Sequence, residues 1–158
     1  MKKIFILLCF VVMGCVACDK HEVSSPVPSY PVRLNLDLSL EDLELSGYYS
    51  TKMYVKGNDG IAASEKLGYA GVLVINGGFK GNGDAILFAF DLACPYEVPY
   101  EVSQSIRVVA DDEGYCKCPK CGRVYNIGNG SGKNVDENLF LRAYRVIDKG
   151  DRIYTVVN

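Results

Sequence analysis

The chain has 158 residues, a net charge of −2 and a sequence pI near 5.4. No basic stripe accompanies this slightly acidic balance, which excludes nucleic acid as a predicted partner. Beyond the N-terminal segment no apolar run is long enough to form a transmembrane helix. The residues 32–158 suffice for one domain of ordinary size with its own hydrophobic core.

Residues 1–17 are predicted to be a lipoprotein signal peptide. A short basic start, Met1-Lys2-Lys3, precedes an apolar run over residues 4–16 that is too brief to span a bilayer. Cys15-Val16-Ala17-Cys18 resembles the lipobox of bacterial lipoproteins, in which the last cysteine is lipidated and becomes the first mature residue. The resemblance implies lipid attachment at Cys18, with Cys15 as the competing candidate. It also implies a membrane-anchored protein of the bacterial cell envelope, facing the periplasm or the cell surface. A plain cleaved signal peptide is the alternative.

Residues 18–31 are rich in proline and serine and predict a flexible tether with nothing to bury. The only histidine of the chain, His21, lies in this segment. We therefore expect His21 to be solvated and do not expect it to bind a metal.

The first half of the domain shows the two-residue alternation of β-strands. Residues 32–40 alternate apolar and polar side chains without a break, which predicts a strand with one face in the core. A moderate strand is predicted at 48–56 and a short helical turn at 61–67. The apolar runs 69–75 and 85–90, separated by glycine-rich turns, predict a hairpin.

The second half continues in the same manner. Strands are predicted at 105–110, at 116–118, at 123–127, at 139–147 and at 152–157. Short strands with turns between them and almost no helical periodicity indicate an all-β fold, a small antiparallel sandwich or barrel. Two cysteine-bearing loops are expected to meet at one end of this domain.

These two loops hold four of the seven cysteines. The first loop carries Cys94-Pro95-Tyr96, and the second carries Cys116-Lys117-Cys118-Pro119-Lys120-Cys121-Gly122. The Cys-Pro-Lys-Cys-Gly sequence is typical of a metal knuckle, in which two sulfurs converge on one point. A knuckle supplies half of a site, so Cys94 is the predicted third ligand. Cys116 is the best candidate for the fourth position, and Tyr96 is another.

The segments around both loops resemble a Rieske-type domain. The resemblance rests on the sequence from Phe88 to Tyr96, on Cys118 to Tyr125 and on Leu141 to Val146. It implies a small antiparallel β fold whose two loops, Cys-x-His and Cys-x-x-His, hold a [2Fe-2S] cluster. Tyr96 occupies the first histidine position of that pattern and Cys121 the second. A histidine-ligated cluster is therefore excluded.

Three interpretations of the four cysteines remain open. They could bind a metal, either structural zinc or an all-thiolate iron or iron–sulfur centre. They could form disulfides in an oxidising compartment, or they could be idle in a domain that has lost its cofactor. The first interpretation predicts a metal-binding or electron-transfer accessory module with a redox or envelope protein as partner. The others predict a cofactor-free structural or interaction domain.

No arrangement of residues in the sequence predicts an enzyme. The run Asp111-Asp112-Glu113 is typical of a solvated turn rather than of paired catalytic carboxylates. The cations Lys117, Lys120 and Arg123 beside the cysteines could lower thiol pKa values. Their simpler predicted role is solubility around an exposed loop tip.

Overall fold

The structure is a computed structural model that describes residues 25–58, 61–99, 106–111, 113–133 and 139–158. The predicted signal peptide, Cys18 and His21 lie outside these residues. No helix within the described ranges is long and apolar enough to cross a membrane.

Strands dominate the described chain, and all their pairings are antiparallel. They are β1 (Val32–Asp37), β2 (Thr51–Tyr54), β3 (Lys66–Leu67), β4 (Val72–Phe79), β5 (Ala85–Asp91), β6 (Val109–Ala110), β7 (Tyr115–Lys117), β8 (Val124–Asn126), β9 (Gly132–Lys133), β10 (Ala143–Gly150) and β11 (Ile153–Val157). A 3₁₀ helix, η1, spans Leu43–Ser46. The predicted all-β class is confirmed.

The strands form two sheets. The larger sheet has seven strands in the order β2-β4-β5-β10-β11-β1-β3, and the smaller has four in the order β6-β7-β8-β9. The first cysteine-bearing loop follows β5 of the larger sheet, and the second joins β7 to β8 in the smaller sheet. The two loops therefore come from different sheets.

The alternation in β1 has the predicted consequence. Leu34 and Leu36 are buried, whereas Arg33 and Asn35 between them are exposed. The strand is shorter than predicted because it ends at Asp37, where the backbone turns and the N–H of Asp42 donates to the Asp37 carbonyl at 2.9 Å. The buried face of β1 helps to close the core that it shares with β11.

The predicted hairpin is present as β4 and β5, and β4 extends further than expected, to Phe79. Its register shifts between Asn76 and Phe79. At Gly77 an added Cβ would lie 2.2 Å from the Phe88 ring, so only glycine lets that ring pack on the strand. The hairpin delivers the chain to Cys94.

Several predicted elements differ in the structure. The described residues 61–67 contain no helix but one hydrogen-bonded turn, in which the N–H of Glu65 donates to the Ala62 carbonyl at 3.0 Å, and the short strand β3 that follows pairs with β1. That tertiary pairing overrides a weak local preference. The strand predicted at 105–110 is reduced to Val109–Ala110, and the one predicted at 139–147 begins at Ala143.

The described part of the predicted tether is also different from the expectation. Val27 is fully buried in the core beneath the cysteine loops, and Arg142 Nε donates to the Val27 carbonyl at 2.6 Å. The sequence did not predict the burial of Val27, because it is one apolar residue among prolines and serines. The chain is therefore already packed on the domain at residue 27.

Asp91, the last residue of β5, is a fully buried carboxylate that organises the approach to Cys94. It accepts hydrogen bonds from the N–H groups of Tyr69 at 2.7 Å, Ala70 at 3.2 Å and Ala93 at 2.8 Å. The Tyr144 hydroxyl donates to it at 2.6 Å. These bonds tie the loop before β4 and strand β10 to the start of the first cysteine loop.

Replacing this carboxylate should destabilise the fold. In Asp91→Asn an amide donor would face N–H and O–H donors, leaving buried groups unsatisfied at a cost of about 3 kcal/mol. The matched control is Asp148→Asn, because Asp148 is exposed and pairs with Lys80 at the surface. We expect that control to cost less than about 1 kcal/mol. Urea denaturation measures both, and equal effects would contradict the role given to Asp91.

Candidate metal centre

The first cysteine loop turns back over Cys94, which is fully buried. The N–H groups of Glu97 and Val98 both donate to the Cys94 carbonyl at 3.1 Å. The N–H groups of Tyr96 and Glu97 also interact with the Cys94 sulfur. Proline at position 95 restricts this backbone, so the loop holds the thiol in place.

The second loop has the predicted knuckle geometry. The N–H of Cys118 donates to the Arg123 carbonyl at 2.8 Å, and the N–H of Gly122 donates to the Cys118 carbonyl at 2.9 Å. Gly122 has a φ of 73°, in the left-handed region that glycine adopts without strain. The turn brings Cys118 and Cys121 to the same side of the loop.

Three sulfurs from the two loops meet. The Sγ atoms of Cys94 and Cys121 are 3.7 Å apart, and those of Cys94, Cys118 and Cys121 all lie within 4.8 Å of one another. None of the three sulfurs is bonded to another cysteine. A disulfide would need a separation of about 2.05 Å. Tetrahedral metal–sulfur bonds of about 2.3 Å place the sulfurs about 3.8 Å apart. The observed spacing therefore suits ligands that share one ion.

Cys116 does not join this group. Its Sγ does not lie within 4.8 Å of all three other sulfurs. Cys116 is fully buried in the core, where its residue pairs with Tyr125 across β7 and β8. These distances do not support the prediction that Cys116 supplies a fourth ligand.

Tyr125 is a neighbour of the site that the sequence analysis did not single out. It is almost fully buried, and its hydroxyl oxygen lies 3.3 Å from the Cys94 sulfur, within hydrogen-bond reach. A hydroxyl group that donates a hydrogen bond to a thiolate stabilises the charged form of the sulfur. The short strand that leaves the knuckle alternates faces, and that alternation could have placed Tyr125 on the buried side.

The pKa values of the thiols differ because their surroundings differ. Burial raises the pKa of Cys94 to about 12, although hydrogen bonds from Tyr125 and two backbone N–H groups oppose the shift. Burial likewise raises the pKa of Cys116 to about 12. At the half-buried Cys121, burial acts in the same direction, but hydrogen bonds from the Arg123 backbone, Cys118 and the Arg123 side chain bring its pKa below the ordinary value. Cys121 is the thiol that ionises most readily among these three.

Polar contacts hold the two loops together. Glu97 of the first loop forms an ion pair with Lys120 of the second, with 2.8 Å between carboxylate oxygen and Nζ. The Arg123 guanidinium carbon lies 3.2 Å from the centroid of the Tyr96 ring, a cation–π contact between the same loops. These contacts give Lys120 and Arg123 a more specific role than solubility, while Lys117 is exposed as expected.

Arg123 has one further property. Its Nε atom is buried and has no hydrogen-bond partner in the described part of the chain. The same side chain interacts with the Cys121 thiol and with Tyr96. Tyr96, at the first histidine position of the Rieske pattern, therefore lies beside the site, stacked on the arginine.

The similarity of this chain to known proteins is distant. No family model matches the chain. No curated protein matches it. Among solved structures, one similar protein is described as an NADH-dependent nitrite reductase small subunit from Mycobacterium tuberculosis, with a TM-score of 0.41 and 12% identity over 82% of this chain and 96% of that chain.

The environment of the thiols predicts their order of reaction. In metal-free protein with Cys9, Cys15 and Cys18 replaced by serine, iodoacetamide should modify Cys121 first, because Cys121 is partly exposed and Cys94, Cys116 and Cys118 are fully buried. A lowered pKa means that the labelling rate should reach half of its plateau below pH 9.0, the ordinary thiol value. Peptide mass spectrometry over a pH series measures this, with Cys121→Ser as the control. Faster labelling of Cys94 would contradict the geometry.

Proposed function

We propose that this protein is a membrane-anchored envelope lipoprotein whose β domain binds one metal ion through Cys94, Cys118 and Cys121. It acts as a non-catalytic metal-binding or electron-transfer accessory module. The convergence of three sulfurs from two loops within 4.8 Å carries this proposal. Sulfur ligands favour zinc, copper(I) or iron over hard cations.

A single ion fits these residues better than the [2Fe-2S] cluster that the Rieske resemblance implies. Such a cluster takes four protein ligands, two on each iron. The described residues bring three sulfurs together at mutual distances suited to one metal centre. Zinc bound there would link the two sheets, whereas iron would make the site a one-electron carrier.

The position of Cys121 supports the accessory role. Cys94 and Cys118 are buried, whereas Cys121 is only half-buried at the loop tip. A protein partner that docks over this tip could approach the metal through one sulfur. Electron transfer and metal delivery both require a partner to come close to the metal, and access from one side is sufficient for this.

A second candidate function follows from the 3.7 Å distance between the Cys94 and Cys121 sulfurs. In an oxidising envelope compartment these thiols could form a disulfide, losing two electrons and two protons to an oxidant. The bond would close a loop of more than twenty residues, which stabilises the fold by about 3 kcal/mol in the chain-entropy model. The domain would then be a cofactor-free structural or interaction module.

Metal analysis separates these candidates. In full-length protein purified anaerobically in detergent, we expect one metal ion per chain and no inorganic sulfide. The single substitutions Cys94→Ser, Cys118→Ser and Cys121→Ser should each lower metal affinity more than tenfold, because a thiolate ligand is lost. Cys116→Ser is the matched control and should retain the metal. Stoichiometric sulfide would indicate a cluster, and protein without metal but with a Cys94–Cys121 disulfide would favour the second candidate.

Lipid attachment is tested separately. Expressed in a bacterium supplied with radiolabelled palmitate, the full-length chain should incorporate label and sediment with membranes. Cys18→Ser should abolish both, because the thiol that accepts the lipid is lost, whereas Cys15→Ser should leave both unchanged. Label that persists in Cys18→Ser but disappears in Cys15→Ser would move the anchor to Cys15.

A further inference from the structure

The three-thiol site lacks an obvious fourth ligand. No other cysteine, histidine, aspartate or glutamate among the described residues joins Cys94, Cys118 and Cys121 within 4.8 Å. Closed structural zinc sites use four protein ligands, whereas sites with three protein ligands leave one position to an external molecule. The number of sulfurs therefore points to an open coordination position.

Arg123 supplies a second, independent observation. Its buried Nε–H has no acceptor among the described residues, although a buried donor without a partner costs about 1–3 kcal/mol. The side chain is held beside the site by the Tyr96 ring and by its interaction with Cys121. An anion bound next to Cys121 would give this donor an acceptor and would be attracted by the guanidinium charge.

The side of the site that an external molecule can reach is the Cys121 side. Cys94 and Cys118 are fully buried, and Cys121 alone of the three is partly exposed. Arg123 is half-buried at this same side. The accessible edge of the site is therefore formed by Cys121 and by the Arg123 side chain that interacts with it.

We propose that the metal site of this protein takes the thiolate of a small exogenous thiol as its fourth ligand, and that Arg123 recognises the negative charge of this ligand. The inference rests on the proposed function, since it requires a metal bound to Cys94, Cys118 and Cys121. A thiol R–SH loses its proton to solvent and its sulfur forms the fourth metal–sulfur bond, displacing water where water holds that position. Metals that prefer three thiolates also prefer a thiolate to oxygen ligands.

Cobalt(II) substitution counts the thiolates directly. We would use full-length protein in detergent with Cys9, Cys15 and Cys18 replaced by serine, reduced with a phosphine so that no thiol is added. The sulfur-to-cobalt charge-transfer absorption should correspond to three thiolates. Adding 2-mercaptoethanol should raise it to the level of four, whereas imidazole, a neutral ligand, and acetate, a hard anion, should not.

The arginine is tested in the same assay. In protein already saturated with cobalt, Arg123→Gln should weaken 2-mercaptoethanol binding about tenfold, the effect of losing one hydrogen bond to a charged group. Lys117→Gln is the matched control, because Lys117 is an exposed cation of the same hairpin. Equal binding by the wild-type and Arg123→Gln proteins would overturn the role given to Arg123.

The remaining outcomes distinguish this inference from the proposed function. Failure of cobalt to bind would remove both. A four-thiolate spectrum before any thiol is added, reduced to three in Cys116→Ser, would overturn the exogenous ligand and leave the metal site intact. A three-thiolate spectrum that 2-mercaptoethanol does not change would also overturn the exogenous ligand while leaving the metal site intact.

Discussion

The site depends on one constraint, which is that loops from two separate sheets must place their sulfurs within bonding reach of one ion. Cys94 follows the last strand of a hairpin in the seven-stranded sheet, and the knuckle is the tip of a hairpin in the four-stranded sheet. Neither loop alone contains all three sulfurs. The core between the sheets, in which Leu73, Ile75 and Tyr125 are buried, therefore sets the distance between the two halves of the site.

That core would be a poor environment for charged thiolates without local compensation. Burial disfavours the ionised form of Cys94, and hydrogen bonds from Tyr125 and from backbone N–H groups favour it. A bound cation would supply the larger compensation, since metal binding and thiol deprotonation are coupled. Burial thus favours the neutral form of the Cys94 thiol, whereas the half-buried Cys121 ionises more easily.

The contacts between the loops are polar rather than covalent. The Glu97–Lys120 ion pair and the stacking of Arg123 on Tyr96 join the same two segments that the sulfurs join. Individually such contacts near the surface contribute about 1 kcal/mol or less. Their value lies in geometry, because they orient the loops before any ligand binds and so reduce the ordering that binding must otherwise impose. Asp91 has the same effect at the start of the first loop, where it anchors backbone from both sides.

The sequence by itself determined the class of fold, the hairpin that precedes Cys94 and the knuckle around Cys118 and Cys121. These features are local, since two-residue alternation, glycine turns and the Cys-Pro-Lys-Cys-Gly spacing are readable within a few residues. The resemblance to Rieske-type domains identified which loops to compare, and the two substituted histidine positions already excluded the usual ligands. The packing of Val27 was hidden, because one apolar residue in a proline- and serine-rich run has no periodicity.

Only the tertiary structure decided which cysteines meet. Cys116 and Cys118 are two residues apart, so the spacing along the strand predicted that Cys116 would also be a ligand. In the structure β7 places Cys116 in the core, paired with Tyr125. The ion pair between the loops joins residues far apart in the chain. The lack of a partner for the Nε of Arg123 among the described residues depends on the side chains that surround it in the fold. Distances across two sheets follow from how the sheets pack, and a one-dimensional pattern does not contain that information.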